Sequence, residues 1–283
     1  MSDRDHAHPL VPDFDEDLFA GTAEWYARHR PPYPSELLDE LVYTAPGQRG
    51  EGRMLVDVAC GPGTICLALH RHFDAVLAVD LEPDMIARGR ALAREAGAGN
   101  IEWTVGRAED LDLPAATVDL VTIGNAFHRL DRPLVASRAL AWLRAGGVFA
   151  DVGGGTRMTS GNEPWQRVVS DVYRRWIARA PHRPVSRSPK DARLATTEEV
   201  LRDAGFVDVS KRVVEVPHVW TADDVVGYLF STSYASRAIF GGLADGFAEA
   251  VRAALLAHDP RGQFREALSA YVVTGRRPST DVR

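Results

Sequence analysis

The sequence predicts an α/β protein built on a doubly wound, mostly parallel seven-stranded sheet with helical cap insertions. Three observations predict this fold class. Apolar runs typical of buried strands alternate with helical patterns as far as Gly155. The first run, which begins at Met54, breaks into the tight turn Gly61-Pro62-Gly63 and then a helix, and the second run ends in the carboxylate Asp80. The 45% hydrophobic residues in a chain of 283 are enough for a sizeable core.

The elements of the first half follow in order. Three prolines end a helix that begins near Thr22, and Pro34 opens the next helix in its first turn. Helices are also predicted from Ile65, from Pro83 and over 133–145, where Gly146-Gly147 should stop the last of them. The residues 106–112 read as a polar loop. Strands are predicted to begin at Met54 and to span 75–80, 101–105, 118–123 and 148–152.

The second half departs from this alternation. A helix is predicted over 163–179, capping boxes at Thr196 and Thr221 should start two more, and 247–256 reads as another helix. A long strand over 206–216 precedes a closing antiparallel strand over 268–275. We therefore divide the chain into a flexible acidic leader (1–19), a cofactor-binding core (20–155), and cap helices with closing strands of the same domain (156–283).

Composition excludes several classes of protein. The net charge of −6 speaks against a general nucleic-acid binder. No apolar run reaches the ~18 to 20 residues that a membrane span requires, and the first residues lack a signal-peptide core. The two cysteines, Cys60 and Cys66, flank one turn, which fits a reducing compartment. We expect a cytoplasmic protein with no membrane partner and no metal. The sequence leaves a homodimer open and does not reveal the oligomeric state.

The glycine turn predicts a ligand site. Gly61 and Gly63 carry no Cβ, and the helix that follows presents free amide groups and a positive dipole end. Parallel strands bind ligands at their carboxyl ends, so the residues that follow the strands should converge on one rim of the sheet. Asp80 lies 19 residues after Gly61, near the spacing at which a carboxylate meets ribose hydroxyls in nucleotide-binding units.

At this point the sequence resembles the class I S-adenosylmethionine-dependent methyltransferases, which share a Rossmann-like fold. Residues 56–64, Val-Asp-Val-Ala-Cys-Gly-Pro-Gly-Thr, look like the first motif of this family, and residues 79–85 look like the second. The Pro-rich segment 25–34 and Asn125-Ala126-Phe127-His128 are similar to segments of the small-molecule branch that contains trans-aconitate and natural-product methyltransferases. The resemblance covers roughly Thr22 to Val152.

The resemblance implies a cofactor site for S-adenosyl-L-methionine. Asp80 would hold both ribose hydroxyls, and Gly61 and Gly63 would let the chain pass the methionine part. Asp57 would support that loop and reach the amino group through it, and either Glu109 or Asp110 would accept a hydrogen bond from the adenine amine. The remaining cofactor-binding candidates are Tyr26, Arg30 (a carboxylate partner), Ala59, Leu81, Met85, Ala108, Asn125 and Ala126.

The chemistry implied is methyl transfer to an O, N or C nucleophile of a small organic acceptor. The methyl group is already activated, so the protein mainly supplies proximity and orientation. If the acceptor must lose a proton, His128 is the candidate base, because the ordinary pKa of histidine lies near neutrality. A packing or gating histidine is the alternative. The segment 228–240, rich in hydroxyls and aromatic rings, is predicted to form a lid over the acceptor pocket.

Three other functions stay open at this stage. A nicotinamide oxidoreductase also uses a glycine turn and an acidic strand end, although Cys66 stands where its fingerprint has a third glycine. An RNA methyltransferase could use the arginines between Arg174 and Arg193. The third is a protein that binds S-adenosylmethionine without transferring its methyl group.

Overall fold

The computed structural model describes residues 19–182 and 195–279. They contain one seven-stranded sheet of order β3-β2-β1-β4-β5-β7-β6. Its strands, numbered along the chain, are β1 (Met54–Val58), β2 (Ala75–Asp80), β3 (Ile101–Val105), β4 (Val118–Gly124), β5 (Leu143–Gly155), β6 (Val207–Trp220) and β7 (Phe264–Arg276).

The first five strands pair in parallel, and β7 runs antiparallel between β5 and β6. The predicted fold class is therefore confirmed, including the single antiparallel strand. The observed β6 and β7 are longer than predicted, because the two strands pair with each other as far as Trp220 and Phe264.

Ten α-helices lie in the described residues. They are α1 (Ala23–His29), α2 (Ser35–Thr44), α3 (Thr64–Leu69), α4 (Pro83–Ala96), α5 (Arg132–Trp142), α6 (Pro164–Ile177), α7 (Thr197–Ala204), α8 (Ala222–Phe230), α9 (Arg237–Phe240) and α10 (Ala244–His258). The capping boxes predicted at Thr196 and Thr221 are both present and start α7 and α8.

The two faces of the sheet are covered by different helices. Apolar residues of α2, α3 and α4 pack on one face, and those of α5 and α7 pack on the other. The helices α6, α8, α9 and α10 bury a third cluster against Trp220, Phe264 and Leu268, at one end of β6 and β7. The cap helices therefore have an apolar core of their own, into which Trp165 is buried and against which Tyr173 and Trp176 pack.

Two local predictions are wrong. The helix α5 ends at Trp142, and Gly146 and Gly147 lie inside β5 rather than after the helix. The pairing of β5 with β4 shifts register in this part of the strand, and Gly146 adopts a φ of +75° there. Pro34 does not lie in the first turn of α2, as predicted, but just before it, because its backbone is extended, with a ψ of 129°. The loop 106–112 contains a short 3-10 turn over Ala108–Asp110. Most of the predicted arginine-rich loop lies outside the described residues.

Candidate cofactor site

Two strained residues mark the carboxyl edge of the sheet. Ala59 follows β1 with a φ of 51°, and Asn125 follows β4 with a φ of 52°. Residues other than glycine seldom adopt such angles, and where they do the surrounding structure holds them there. The Asn125 side chain shows how: its Oδ1 accepts the Gly154 N–H at 3.0 Å, while its own backbone N–H donates to the Val152 carbonyl at 2.8 Å. The ends of β4 and β5 are thereby joined into one rigid rim.

Asp80 links the tip of β2 to the glycine turn. Its Oδ2 accepts the Gly61 N–H at 2.7 Å, and its Oδ1 accepts the Glu82 N–H at 2.9 Å. Burial raises the pKa of this carboxyl, against the lowering effect of these backbone donors. A carboxylate offers about four acceptor positions, so each oxygen keeps one for a further donor. This arrangement can accept two hydroxyl groups at once.

The two positions of the turn require glycine for different physical reasons. Both have positive φ, at 56° for Gly61 and 89° for Gly63. A Cβ at Gly61 would meet only the Tyr26 ring, at 4.0 Å, so the space above it is open to a ligand. A Cβ at Gly63 would lie 2.4 Å from the Trp103 ring. Packing against Trp103 therefore requires glycine at position 63, whatever ligand the turn binds.

Asp57 is fully buried beneath the same turn. Its Oδ1 accepts the Thr122 hydroxyl at 2.8 Å, and its Oδ2 accepts the Cys66 N–H at 3.1 Å. Burial raises the pKa of Asp57 to about 7, even though these two hydrogen bonds act to lower it. The side chain ties β1, β4 and the start of α3 together, as expected for a residue that supports the loop.

The residues predicted to contact adenine and ribose differ in their exposure to solvent. Leu81 is exposed beside Asp80, whereas Met85 and Ala108 are buried. Glu109 is half-buried, and its Oε1 accepts the Asp131 N–H at 3.0 Å. Asp110 is exposed and lines a separate surface depression with Arg138 and Trp142. Of the two acidic candidates, only Glu109 is tied to the segment that follows β4.

Arg30 occupies an aromatic cage beside this edge. Its guanidinium lies over the rings of Tyr26 and Tyr228, at 4.8 Å and 4.5 Å from their centroids. It donates to the Tyr228 hydroxyl at 3.0 Å and to the Ser231 hydroxyl and carbonyl at 2.9 Å and 3.3 Å. The cap helix α8 is thereby fastened to the segment that follows α1.

A cavity of about 660 Å³ opens between these parts. Its walls are the segment from Tyr26 to Glu36, the rim residues Asn125 and 153–155, and the facing ends of β6 and β7. Tyr228 contributes the wall on the cap side. The cavity therefore has a polar rim at the sheet edge and apolar walls of tyrosine and proline, as is typical of sites for small organic molecules.

His128 lies on a 3-10 turn, Phe127–Arg129, and is exposed to solvent. It is not among the residues that line the cavity. Desolvation of the imidazole, together with the charges of Arg129 and Arg132, lowers the pKa of His128 to about 4. This shift makes the imidazole neutral at pH 7 but only a weak base.

The comparisons with known proteins agree with this geometry. The model of a family described as "Methyltransferase domain" matches residues 55–147. Methyltransferase gedG of Aspergillus terreus is 30% identical over 191 residues, which cover 64% of this chain and 58% of that protein. A putative methyltransferase of Dictyostelium discoideum is 24% identical over 218 residues, 77% of each chain.

A solved structure extends the similarity beyond the matched domain. The structure of a putative type II methyltransferase from Anaeromyxobacter dehalogenans has a TM-score of 0.57 and 26% identity, over 88% of this chain and 99% of that one. The chain is similar to class I S-adenosylmethionine-dependent methyltransferases, and the resemblance predicted from the sequence is confirmed. The chain spans just over half the length of the Aspergillus relative, so its activity and acceptor are treated below as proposals.

The side chains at this edge of the sheet fit S-adenosyl-L-methionine, the cofactor of the proteins that the chain resembles. The carboxylate at the tip of β2 has two free acceptor positions, the turn at Gly61 is open above its backbone, and Leu81 presents an uncovered apolar surface beside them.

No group of three or more histidine, cysteine or acidic side chains in the described residues could hold a metal ion. Within the same residues, no helix is long and apolar enough to cross a membrane.

Sequence reasoning missed Tyr33 and His218, which line the cavity. Tyr228, the first residue of the predicted lid segment 228–240, lines the cavity as well. The glycines 153–155 form part of its rim, and a Cβ at Gly153 or Gly154 would strike β7. Nothing in the sequence signalled that Arg129 would lie near enough to Arg30 for the two charges to interact, because that proximity depends on the tertiary fold.

Proposed function

We propose that this chain transfers the methyl group of S-adenosyl-L-methionine to an O, N or C nucleophile of a small organic molecule. The observation that carries the proposal is the hydrogen bonding of Asp80, whose carboxylate spans β2 and the glycine turn and keeps two acceptor positions for the ribose hydroxyls. When bound, the cofactor supplies an activated methyl group on a positively charged sulfur.

The roles of the chain's own residues follow from their positions. Asp80 orients the adenosine part, Leu81 and Met85 pack beside it, and the Ala108 backbone with Glu109 meets the adenine edge. Asp57, Ala59, Gly61 and Gly63 shape the turn that the methionine part follows, with Asn125 and Ala126 at its end. Arg30 holds the methionine carboxylate through the N–H groups that its own hydrogen bonds leave free.

The cavity beside Arg30 and Asn125 supports a small acceptor. Its volume of about 660 Å³ suits a molecule of drug-like size, and its walls would exclude most of the water from the reacting atoms. The acceptor nucleophile would meet the methyl carbon in line with the bond to sulfur, and the electron pair of that bond would stay on sulfur. If the nucleophile must lose a proton, His128 would take it through a water molecule, because its imidazole is neutral at pH 7.

Calorimetry with S-adenosylhomocysteine, followed by turnover of methyl-labelled S-adenosylmethionine with a library of acceptors, tests the proposal. We expect saturable heat with the homocysteine product, no heat with NADH or NADPH, and label in at least one small acceptor. The absence of heat with either sulfur compound would refute the cofactor assignment. Binding without transfer of label to any acceptor, or transfer only to RNA, would refute the reaction proposed here.

A further inference from the structure

The sheet has two free edges in residues 19–182 and 195–279, and they differ in length. The strand β3 ends the strand order on one side with five residues, and β6 ends it on the other side with fourteen. A free edge presents a row of backbone N–H and C=O groups to which another strand can bind. Most residues of β6 are exposed, so this edge is the better template for a further strand.

Two features interrupt the edge of β6 and leave one continuous segment between them. The pairing with β7 shifts register between Val207 and Ser210. Pro217 lacks a backbone N–H, and because β6 continues to pair with β7 beyond it, its nitrogen faces the free edge. The uninterrupted segment is therefore 210–216, Ser-Lys-Arg-Val-Val-Glu-Val, and its middle residue is Val213.

One face of this segment carries a charge pattern that is complementary to itself. Lys211, Val213 and Glu215 alternate along the strand and are exposed, Val213 to 54%. In two copies that pair antiparallel about a two-fold axis at Val213, Lys211 of each copy lies opposite Glu215 of the other. Opposite charges in such directly facing pairs stabilise the two strands, and the two valines cover each other.

The backbone supports the same arrangement. Residues whose N–H and C=O groups face one neighbouring strand alternate with residues whose groups face the other side. Lys211, Val213 and Glu215 each lie an even number of residues before Pro217, so their backbone groups face the free edge as its nitrogen does. A pairing centred on Arg212 would need groups that already bond to β7 and would place two guanidinium groups opposite each other. The edge therefore favours the register about Val213.

We propose that the edge of β6 is a dimerisation surface and that a second copy of this chain occupies it, paired antiparallel over residues 210–216. The pairing joins two seven-stranded sheets into one continuous sheet. Residues 215–218 also line the cavity, so the partner strand braces one wall of it. The inference does not depend on the proposed reaction, because it concerns backbone pairing and surface charge alone.

Sedimentation velocity measures the association directly. A pairing of seven residues is a small interface, so we expect a dissociation constant on the order of 10 µM at low ionic strength, where exposed charges are least screened. Between about 1 and about 200 µM protein, the mass should rise from that of a monomer to that of a dimer. Hydrogen exchange at both concentrations locates the contact, since the amides of Lys211, Val213 and Glu215 should exchange more slowly at the higher one.

Charge reversal tests the register. Lys211→Glu and Glu215→Lys each turn both facing pairs into repulsive ones and should raise the dissociation constant about tenfold or more. The double variant exchanges the two charges and should return the constant to within about threefold of wild type, which a misfolded protein could not do. Arg94→Glu reverses an exposed charge on α4, beside β3, and is the matched control, in which the constant should stay unchanged.

Three results would overturn the inference. One is a protein that stays monomeric up to about 200 µM. Another is a dimer that dissociates no more readily in the single variants than in Arg94→Glu, or that the double variant does not restore. The third is slow exchange of the β6 amides at both concentrations, which would show that another part of the same chain covers the edge. The proposed function is judged separately, by the binding of S-adenosylhomocysteine, and none of these results bears on it.

Discussion

Replacing Asp80 by asparagine tests the cofactor site most directly. The carboxylate already accepts the Gly61 and Glu82 N–H groups, one on each oxygen, and offers one further position on each. The amide of asparagine has a single acceptor oxygen, and its NH₂ group must face either a backbone N–H or a hydroxyl of the ligand. At least one hydrogen bond between a ribose hydroxyl and a carboxylate is therefore lost.

The size of the effect follows from that count. A hydrogen bond to a charged group contributes about 1.5 to 3 kcal/mol, so the affinity for S-adenosylhomocysteine should fall roughly 10- to 150-fold. Calorimetry on wild type, Asp80→Asn and the control Asp84→Asn measures this fall in affinity, since Asp84 is exposed in the first turn of α4, just after Asp80. The wild type should also lose affinity in acid as Asp80 is protonated, whereas Asp80→Asn should not. A change below threefold in Asp80→Asn would refute the assignment of Asp80 to the ribose.

Three further changes give predictions. Gly63→Ala places a Cβ 2.4 Å from the Trp103 ring at a φ of 89° and should lower the free energy of unfolding by roughly 2 to 5 kcal/mol in urea denaturation. Asp57 has a folded pKa raised to about 7, so its contribution to stability is fully present below about pH 4 and is lost as pH rises towards 7. Asp57→Asn should flatten that part of the stability profile. If His128 is the base, His128→Gln should lower kcat by about 10²- to 10⁴-fold. The wild-type rate should then be independent of pH above about pH 5, because the pKa of His128 is about 4.

Each of these predictions has a control or a contrary outcome. Gly99→Ala adds the same methyl group at an exposed position with nothing within 4 Å, so a loss as large as that of Gly63→Ala would rule out the packing argument. An Asp57→Asn protein whose stability falls between pH 4 and 7 as steeply as wild type would assign the titration to another group, such as Asp151, whose pKa burial raises to about 6. Unchanged turnover in His128→Gln at both pH 6 and pH 9 would remove His128 from the chemistry.

Most of the fold was predictable because local signals and the global pattern agreed. The parallel strands β1 to β4 coincide with apolar runs, and both capping boxes sit where Thr196 and Thr221 predict them. The prediction was wrong at Gly146-Gly147, which read as a helix stop but lie within β5. The sequence alone does not reveal that Leu143 pairs with Val118 and so pulls the strand start forward. Pairing between distant segments decides such boundaries.

The site was predictable only in part, for a related reason. Asp57, Gly61 and Asp80 lie at or just beyond the carboxyl ends of β1 and β2, and a parallel sheet brings such residues together whatever the detailed packing. The sequence could not distinguish between Glu109 and Asp110, because they are adjacent residues with the same chemistry. In the structure, what distinguishes Glu109 is its contact with Asp131, 22 residues further along the chain. The cavity walls from β6 and β7 could not be predicted, because their residues reach the rim through strand pairing with β5 rather than through any local spacing.

The position of β7 has a consequence for biosynthesis. It lies between β5 and β6, and among residues 19–182 and 195–279 no other strand pairs with β6. While the chain emerges from the ribosome, β6 must wait about fifty residues for its neighbour, and β5 keeps an unpaired edge until Phe264–Arg276 has cleared the exit tunnel. The strands β1 to β4 can pair early in translation, but the cavity wall formed by β6 and β7 is completed last. Nascent chains stalled before β7 should therefore be the aggregation-prone species of this protein.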